Sequence, residues 1–286
     1  MTRLIIKFST FFALLTLLVL MTGCFKRLMM TDEQIKSMHS QKKKPKFDSY
    51  QYLGRELHFA ETGEDTLPIV IFIHGAPGTW NVYVDYLNDS TMQKKYNMIS
   101  IDRPGYGKSD YGHALTSITE QAKILKPLFE RKKKNQKLIL VGHSYGCAIV
   151  LKAAADYPEF VDGILLMAPA VDPNREKFWW FSKMANSGLM RAILPSMLNV
   201  ASSEKFSHEA ELKILEKDLK KIHQKTILIQ GLKDQIIDPK NVYFVDSALS
   251  ENFQKELIIF DNCDHFIITK KQNEVKSAID KMFDGL

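Results

Sequence analysis

The sequence is poor in cysteine, with three residues among 286, too few for a disulfide framework. It also lacks clustered cysteine and histidine and the His-Glu-x-x-His pattern, so it predicts no metal site. Gly105-x-Gly107 lacks the rest of a dinucleotide or phosphate fingerprint and is interpreted as a tight turn, and no cofactor is predicted. Low-complexity segments and internal repeats are absent as well. These absences favour an ordinary globular domain whose chemistry uses no metal and no cofactor.

The excess of positive charge is confined to the start of the chain. The net charge is +6, and residues 1–48 hold nine of the 39 basic residues but only three of the 33 acidic ones. The rest of the chain holds 30 residues of each sign, so the predicted folded part is neutral. A neutral surface gives no support for nucleic-acid binding, and no nucleic-acid partner is predicted.

The longest apolar run is Phe11–Met21, whose eleven residues are too few for a comfortable membrane span. Preceded by two basic residues, the run is typical of a secretory signal peptide, assigned to residues 1–23. It ends in Leu20-Met21-Thr22-Gly23-Cys24, which resembles the bacterial lipobox although leucine is commonest where Met21 stands. The resemblance implies lipidation of Cys24; an ordinary cleaved signal and an uncleaved anchor are the alternatives. We therefore expect a lipoprotein of the bacterial cell envelope, anchored to a membrane and facing outside the cytoplasm.

Residues 24–48 are polar and include the run Lys42-Lys43-Lys44-Pro45-Lys46. We interpret this segment as a solvated tether that holds the folded domain away from the bilayer. The alternative is contact with anionic lipid, at about 1 kcal/mol per basic residue near the surface.

From residue 49 onward, short apolar runs alternate with stretches of helical spacing. The predicted strands are Leu57–Glu61, Ile69–Ile73, Met98–Ile101, Leu138–Val141, Gly163–Met167, Thr226–Gln230 and Leu257–Phe260. The predicted helices are Ile118–Lys132, Tyr145–Tyr157, Asn241–Ala248 and Gln272–Phe283. This alternation predicts an α/β fold with a mostly parallel sheet of about eight strands and helices on both faces. Residues 170–223 show helical spacing without a clear strand, which predicts a helical cap inserted between core segments 49–169 and 224–286.

Ser144 occupies the centre of Gly142-His143-Ser144-Tyr145-Gly146, between a predicted buried strand and an apolar helix. A lone Gly-x-Ser-x-Gly pattern is a weak signal, but the strand-turn-helix context strengthens it. A sharp turn at this point lifts the hydroxyl out of the sheet and sets it near backbone N–H groups at a helix N-terminus. The context predicts that Ser144 is a nucleophile.

Four further motifs accompany this pentapeptide in a fixed order along the chain. They are His74-Gly75-Ala76-Pro77-Gly78, Asp102–Ser109, Ile227–Asp234 and Asn262–Phe266. Together the five motifs resemble the α/β-hydrolase superfamily over about residues 50–286. The resemblance implies an oxyanion loop after the third strand, a nucleophile turn after the fifth, and loops that carry the catalytic acid and histidine.

A serine nucleophile needs a base within hydrogen-bond reach, and we predict His265 in that role. His74 and His143 also adjoin motif glycines, but the resemblance gives them structural places in the oxyanion loop and the nucleophile turn. Asp234 is the predicted acid, at the spacing of the resembled family, with Asp238 and Asp172 as alternatives. Asp264 adjoins the histidine, but neighbouring side chains diverge, so a surface role is expected for it.

The resemblance implies an oxyanion hole formed by the backbone N–H groups of Ala76 and Tyr145, whose side chains would line the pocket. In the predicted cap, Trp179, Trp180 and Phe181 are candidates for an apolar substrate pocket. The structural alternative is that the cap aromatics only pack a lid onto the sheet. Cys147 and Cys263 are interpreted as buried thiols.

The sequence therefore predicts a membrane-tethered serine hydrolase that cleaves carboxylic esters, with apolar acyl groups, through an acyl-enzyme on Ser144. The first alternative is an aminopeptidase of the proline-iminopeptidase type, whose oxyanion loop resembles residues 74–78 although Ala76 stands where those enzymes usually carry glycine. The second is a non-catalytic binding lipoprotein on the same fold. A serine in the nucleophile turn, rather than an aspartate, argues against the dehalogenases and epoxide hydrolases of the superfamily.

Overall fold

The structure of the protein is a computed structural model that describes residues 44–177, 188–249, 254–284 and 286. The predicted signal peptide, Cys24 and most of the predicted tether lie outside these ranges, as do Trp179, Trp180 and Phe181. Within the described ranges, no helix combines the length and the hydropathy that a bilayer-spanning segment requires.

Eight strands form one sheet in the order β1-β2-β4-β3-β5-β6-β7-β8. The strands are β1 Lys46–Tyr52, β2 Arg55–Thr62, β3 Ile69–Ile73, β4 Asn97–Ile101, β5 Leu138–His143, β6 Gly163–Met167, β7 Lys225–Gly231 and β8 Lys255–Phe260. Strand β2 is antiparallel to β1 and β4, and the remaining neighbours are parallel. The predicted α/β fold with a mostly parallel sheet is confirmed.

The central strands are apolar because both of their faces are covered. Every residue of β3, β4, β5 and β6 is buried, and since successive side chains point to opposite faces, such runs occur where helices pack on both sides. Strand β1 was not predicted. Its sequence KFDSYQY alternates between exposed and half-buried residues at the sheet edge, so it lacks an apolar run. Residues 46–48, assigned to the tether from the sequence, belong to this strand.

The helices are α1 Val84–Leu87, α2 Ser90–Lys95, α3 Ile118–Lys123, α4 Lys126–Phe129, α5 Gly146–Asp156, α6 Gly188–Ile193, α7 Ser196–Glu216, α8 Asn241–Ala248, α9 Ile267–Lys270 and α10 Gln272–Phe283. The single helix predicted over 118–132 is instead α3 and α4. Pro127 lies in the first turn of α4, and because proline has no N–H to donate to the preceding turn, it starts a new helix.

The region predicted as a cap contains α6, α7 and two short 3-10 turns, with no strand in residues 170–177 or 188–223. Helix α7 packs against α3 and α5. Its buried residues recur every three or four positions along one side and are Met197, Val200, Glu204, His208, Leu212 and Leu215. The stripe is the apolar face expected of a packed helix, except that its centre holds a carboxylate and an imidazole.

Candidate active site

The sequence motifs meet at one edge of the sheet. Strands β3, β5, β7 and β8 run parallel, so the loops that follow them leave the same edge. In open α/β sheets, ligand sites lie at the carboxyl ends of the strands. Ser144 follows β5, Asp234 follows β7 and His265 follows β8.

Ser144 sits on a strained turn between β5 and α5. Its φ of 54° lies in the left-handed region that favours glycine, and a non-glycine residue held there costs about 1–3 kcal/mol. The turn is fixed by the N–H of Ser144, which donates to the carbonyl of Met167 at 2.9 Å. The residue is 7% exposed. The surrounding structure therefore holds the buried hydroxyl of Ser144 at the start of a helix, in a backbone conformation that is unfavourable for a serine.

The two glycines that flank Ser144 allow this turn to pack tightly. A Cβ on Gly146 would lie 2.3 Å from the carbonyl oxygen of Ile73, at the end of β3. A Cβ on Gly142 would lie 2.9 Å from a methyl group of Val150 and 3.0 Å from the backbone of Cys147. Both positions need glycine because a backbone approaches where a side chain would begin.

His265 and Asp234 form a buried pair. Nδ1 of His265 lies 2.7 Å from Oδ2 of Asp234, and the other carboxylate oxygen accepts the N–H groups of Ile236 and Ile237 at 2.9 Å each. The carboxylate therefore accepts a hydrogen bond from Nδ1–H of the ring, which leaves Nε2 unprotonated as an acceptor.

Gly231 lets the loops of this pair approach each other. A Cβ on Gly231 would lie 2.4 Å from the carbonyl oxygen of Cys263, and the N–H of Lys233 donates to that same oxygen at 2.9 Å. The backbone after β7 is thereby fastened to the backbone just before His265.

The other aspartates considered from the sequence have different partners. Asp238 accepts from Arg175 at 3.2 Å, and Asp172 caps a 3-10 turn and pairs with the same guanidinium at 3.1 Å. Asp264 pairs with Lys270 on an exposed part of the loop. Of the four aspartates, the structure brings only Asp234 to the His265 ring.

His74 and His143, the other two histidines considered as the base, are neutral and hydrogen-bonded within the fold. Nε2 of His143 donates to the carbonyl of His265 at 2.9 Å, and burial together with the neighbouring His265 lowers the pKa of His143 to about 3. Burial and the Arg103 charge hold the pKa of His74 well below its usual value. The bond from His143 also joins the residue before Ser144 to the histidine loop.

The loop after β3 packs directly against the serine. A Cβ on Gly75 would lie 3.0 Å from the Cβ of Ser144. Within the described part of the chain, the N–H groups of Ala76 and Tyr145 donate to no protein acceptor. Unpaired backbone donors near a buried hydroxyl can bind a developing oxyanion.

A buried charge cluster next to this loop carries residues that the sequence analysis did not single out. Arg103 and Glu204 form an ion pair at 2.6 Å with side chains 1% and 0% exposed, and Tyr106 donates its hydroxyl to the same carboxylate at 2.7 Å. Arg103 was part of a recognised motif but had no assigned role. The signal for Glu204 was a charged residue inside the apolar stripe of α7.

The ring of Tyr145 is enclosed by the cluster and by α7. It stacks on the imidazole of His208 with ring centroids 4.5 Å apart, and the guanidinium carbon of Arg103 lies 4.6 Å from the centroid of the Tyr145 ring. Nδ1 of His208 contacts Glu176 at 2.9 Å. Within the described ranges, no three His, Cys, Asp or Glu side chains are grouped as metal ligands.

A family model described as the alpha/beta hydrolase fold matches residues 68–194. Among curated proteins, "Epoxide hydrolase 1" of Caenorhabditis elegans is 32% identical over 111 residues, which is 38% of this chain and 27% of that protein. "Proline iminopeptidase PfmaB" of Pestalotiopsis fici is 23% identical over 79% of this chain and 95% of its own length. The chain thus spans about a quarter of the first relative and nearly all of the second.

Solved structures share the fold at low sequence identity. The crystal structure of a membrane phospholipase A, described as a bacterial virulence factor, has a TM-score of 0.69 and 21% identity, with 95% of this chain and 97% of that chain covered. Epoxide hydrolase VrEH1 from Vigna radiata has a TM-score of 0.65 and 14% identity, with 85% and 98% covered. Together with the sheet order and the matched family model, these similarities show that the chain has the α/β-hydrolase fold.

Proposed function

We propose that this protein is a serine hydrolase that cleaves carboxylic esters, with Ser144 as nucleophile, His265 as base and Asp234 as acid. The observation that carries the proposal is the buried contact of 2.7 Å between His265 and Asp234, fastened through His143 to the turn that holds Ser144. Serine acylation requires an imidazole that a carboxylate orients and that can accept the serine proton, and this pair follows strands whose carboxyl ends share one sheet edge with the turn of Ser144.

In the proposed acylation step, Nε2 of His265 takes the proton of Ser144 as Oγ attacks the ester carbonyl carbon. The carbonyl π electrons move to oxygen, and the N–H groups of Ala76 and Tyr145 bind the resulting anion. When the tetrahedral intermediate collapses, the bond to the alcohol oxygen breaks, and the imidazolium returns its proton to that oxygen. Asp234 stabilises the imidazolium throughout this step without taking the proton.

Deacylation repeats the same steps with water as nucleophile. His265 removes a proton from water as its oxygen attacks the acyl carbon, and the same two N–H groups bind the second oxyanion. Collapse breaks the bond to Ser144 Oγ, which regains its proton from His265, and the carboxylic acid departs. Each oxyanion donor is worth about 2.7–4 kcal/mol of transition-state stabilisation in enzymes of this kind.

An apolar acyl group is supported by exposed side chains around the His265–Asp234 pair. Leu232 and Ile236 flank Asp234 in sequence and are 42% and 45% exposed, and Phe266, next to His265, is 53% exposed. Burying apolar surface of this kind against a fatty acyl chain is favourable by about 25 cal/mol per Å². The solved structure of a membrane phospholipase A gives further support for a lipid-like substrate.

The test is hydrolysis of p-nitrophenyl esters from acetate to palmitate by protein that starts after the tether. We expect turnover that rises with acyl length, and its loss in Ser144→Ala. A protein that hydrolyses none of these esters, although folded, would overturn the proposal.

An aminopeptidase of the proline-iminopeptidase type is the second candidate, favoured by the relative that matches 79% of this chain. Recognition of a free α-amino group needs a carboxylate that is not already paired. In the described part of the site, Glu204 is bound to Arg103, and Glu176 to His208 and Lys205. Turnover of proline p-nitroanilide at a kcat/KM above that of every ester would favour the aminopeptidase.

We propose further that Cys24 is lipidated and that the protein is a membrane-anchored lipoprotein of the bacterial cell envelope. The motif Leu20–Cys24 supports this assignment, and the exposed apolar side chains at Leu232, Ile236 and Phe266 fit work close to a lipid surface. Expression in bacteria fed an alkyne-labelled fatty acid should label the wild-type protein. Labelling that persists in Cys24→Ser would contradict the assignment.

A further inference from the structure

Arg103 connects the helix α7 of the predicted cap to the loop after β3. Its side chain is 1% exposed, and its two terminal nitrogens lie 2.6 and 3.1 Å from the carboxylate oxygens of Glu204. This paired geometry is the strongest arrangement that an arginine and a carboxylate form. Although burial opposes the charge, the Glu204 carboxylate raises the pKa of Arg103 above its usual value, so the cation persists.

The other side of Arg103 binds the oxyanion loop. Nε donates to the carbonyl of His74 at 2.9 Å, and Nη2 donates to the carbonyl of Gly75 at 3.1 Å. The backbone N–H of Arg103 donates to Nε2 of His74 at 3.0 Å, so the proton of that ring is on Nδ1, which donates to the Gly75 carbonyl at 2.7 Å. The Gly75 carbonyl is therefore held by two donors.

The direction of this carbonyl decides where the N–H of Ala76 points. The Gly75 carbonyl and the Ala76 N–H belong to one planar trans peptide group and point in opposite directions. A carbonyl held towards Arg103 turns the N–H away from Arg103, and a Cβ added to Gly75 on this peptide would lie 3.0 Å from the Cβ of Ser144. If the carbonyl were released, the peptide could rotate, and the oxyanion hole would lose one of its two donors.

Glu204 stabilises this arrangement because its carboxylate neutralises the buried cation of Arg103. It also accepts hydrogen bonds from Tyr106 at 2.7 Å and from Gln121 at 3.1 Å, so its carboxylate is fully partnered. Tyr145, the second proposed donor residue, packs its ring 4.6 Å from the guanidinium. One residue of α7 thus supports the surroundings of both donors from a position 101 residues along the chain from Arg103.

We propose that Glu204 is a positioning residue for ester hydrolysis: through Arg103 it fixes the peptide group that supplies the Ala76 N–H to the oxyanion. The inference rests on the proposed function and deepens it. Because Glu204 lies on α7, the geometry of the oxyanion hole depends on the position of that helix. Contacts of the substrate with α7 would therefore change kcat as well as binding.

The test replaces the pair by apolar residues of similar length, Arg103→Met with Glu204→Met. A buried ion pair exchanged in this way often keeps the stability of the fold, while the hold on both loop carbonyls is lost. We expect kcat for a p-nitrophenyl ester to fall about 10- to 100-fold, part of the loss seen when an oxyanion donor is removed, with KM changed less than about threefold. The Ki of a trifluoromethyl ketone, whose adduct carries an oxyanion, should rise by the same factor as kcat/KM falls.

The matched control is Lys152→Met, which removes the buried lysine of α5 that pairs with Asp156 on the same helix and with Asp218 just after α7. Lys152 lies eight residues beyond Ser144, about 12 Å along the helix. We expect it to lower the melting temperature without changing kcat or Ki. If the double variant does not fold, Glu204→Gln is measured against the same criteria.

The inference is overturned if the folded double variant, or Glu204→Gln in its place, keeps kcat and Ki within about threefold of wild type. It is also overturned if Lys152→Met loses as much activity. Failure of the proposed function is a different result, since the wild-type protein would then hydrolyse no ester and bind no trifluoromethyl ketone.

Discussion

Replacing Asp234 by asparagine separates the charge of the acid from its shape. Oδ1 of Asp234 accepts two N–H groups, from Ile236 and Ile237, so an asparagine is expected to keep its oxygen there and to turn its NH2 group towards His265. Since two donors cannot face each other, Nδ1 of His265 must become the acceptor and Nε2 must carry the proton. In that tautomer the ring cannot accept the proton of Ser144.

The expected loss follows from the tautomer. The same exchange in a Ser-His-Asp enzyme lowers kcat by about 10⁴-fold, or about 5.4 kcal/mol of activation free energy. We expect a fall of about 10³- to 10⁴-fold here, measured as kcat for a p-nitrophenyl ester at saturation. The melting temperature should change little, because the side chain keeps its volume and both backbone hydrogen bonds.

The matched control is Asp238→Asn, at the aspartate that pairs with Arg175. It should retain kcat within about threefold of wild type. If Asp234→Asn keeps more than about a tenth of wild-type kcat, or if the control loses as much, Asp234 is not the acid and the tautomer argument fails.

Three further predictions concern packing and burial around the site. Gly146→Ala should abolish soluble folded protein or lower its melting temperature sharply, because the added Cβ would lie 2.3 Å from the carbonyl oxygen of Ile73; a melting temperature equal to that of wild type would contradict this. Cys147 is fully buried, and burial raises the pKa of its thiol, so iodoacetamide should alkylate it only after denaturation, as mass spectrometry of native and unfolded protein would reveal. Burial opposes ionisation of Glu176, yet the His208 hydrogen bond helps to hold its pKa below the usual 4.5. The ionised Glu176 side chain therefore stabilises the fold above pH 4.5, and this stabilisation is lost as the pH falls through its lower folded-state pKa. The melting temperature of Glu176→Gln should therefore fall less on acidification than that of wild type.

The sequence predicts the sheet well wherever a strand is buried on both faces. Strands β3 and β6 have the predicted ends because turn residues bound each continuous apolar run. Strand β1 escapes prediction because an edge strand with one half-buried face needs no apolar run. The helical spacing of residues 118–132 runs through Pro127, so spacing alone predicts one helix where the proline starts a second one.

The site is only partly predictable, because the sequence indicates which loops meet but not which of their side chains pair. Motif order along parallel strands brings Ser144, Asp234 and His265 to one edge of the sheet, because the carboxyl ends of the strands share that edge. Spacing alone left Asp238 and Asp172 as alternatives to Asp234, since a loop can direct any of these carboxylates inwards. The pairing of Arg103 with Glu204 joins segments 101 residues apart, and a residue-by-residue reading cannot match two such partners.

The most direct test of the account is where a fluorophosphonate attaches to the folded protein. The reagent phosphonylates a serine only when a neighbouring base has activated its hydroxyl. The account predicts one adduct per chain, mapped by peptide mass spectrometry to Ser144, and none in Ser144→Ala or after denaturation. A folded wild-type protein that takes up no reagent, or that carries the adduct on another residue, would contradict it.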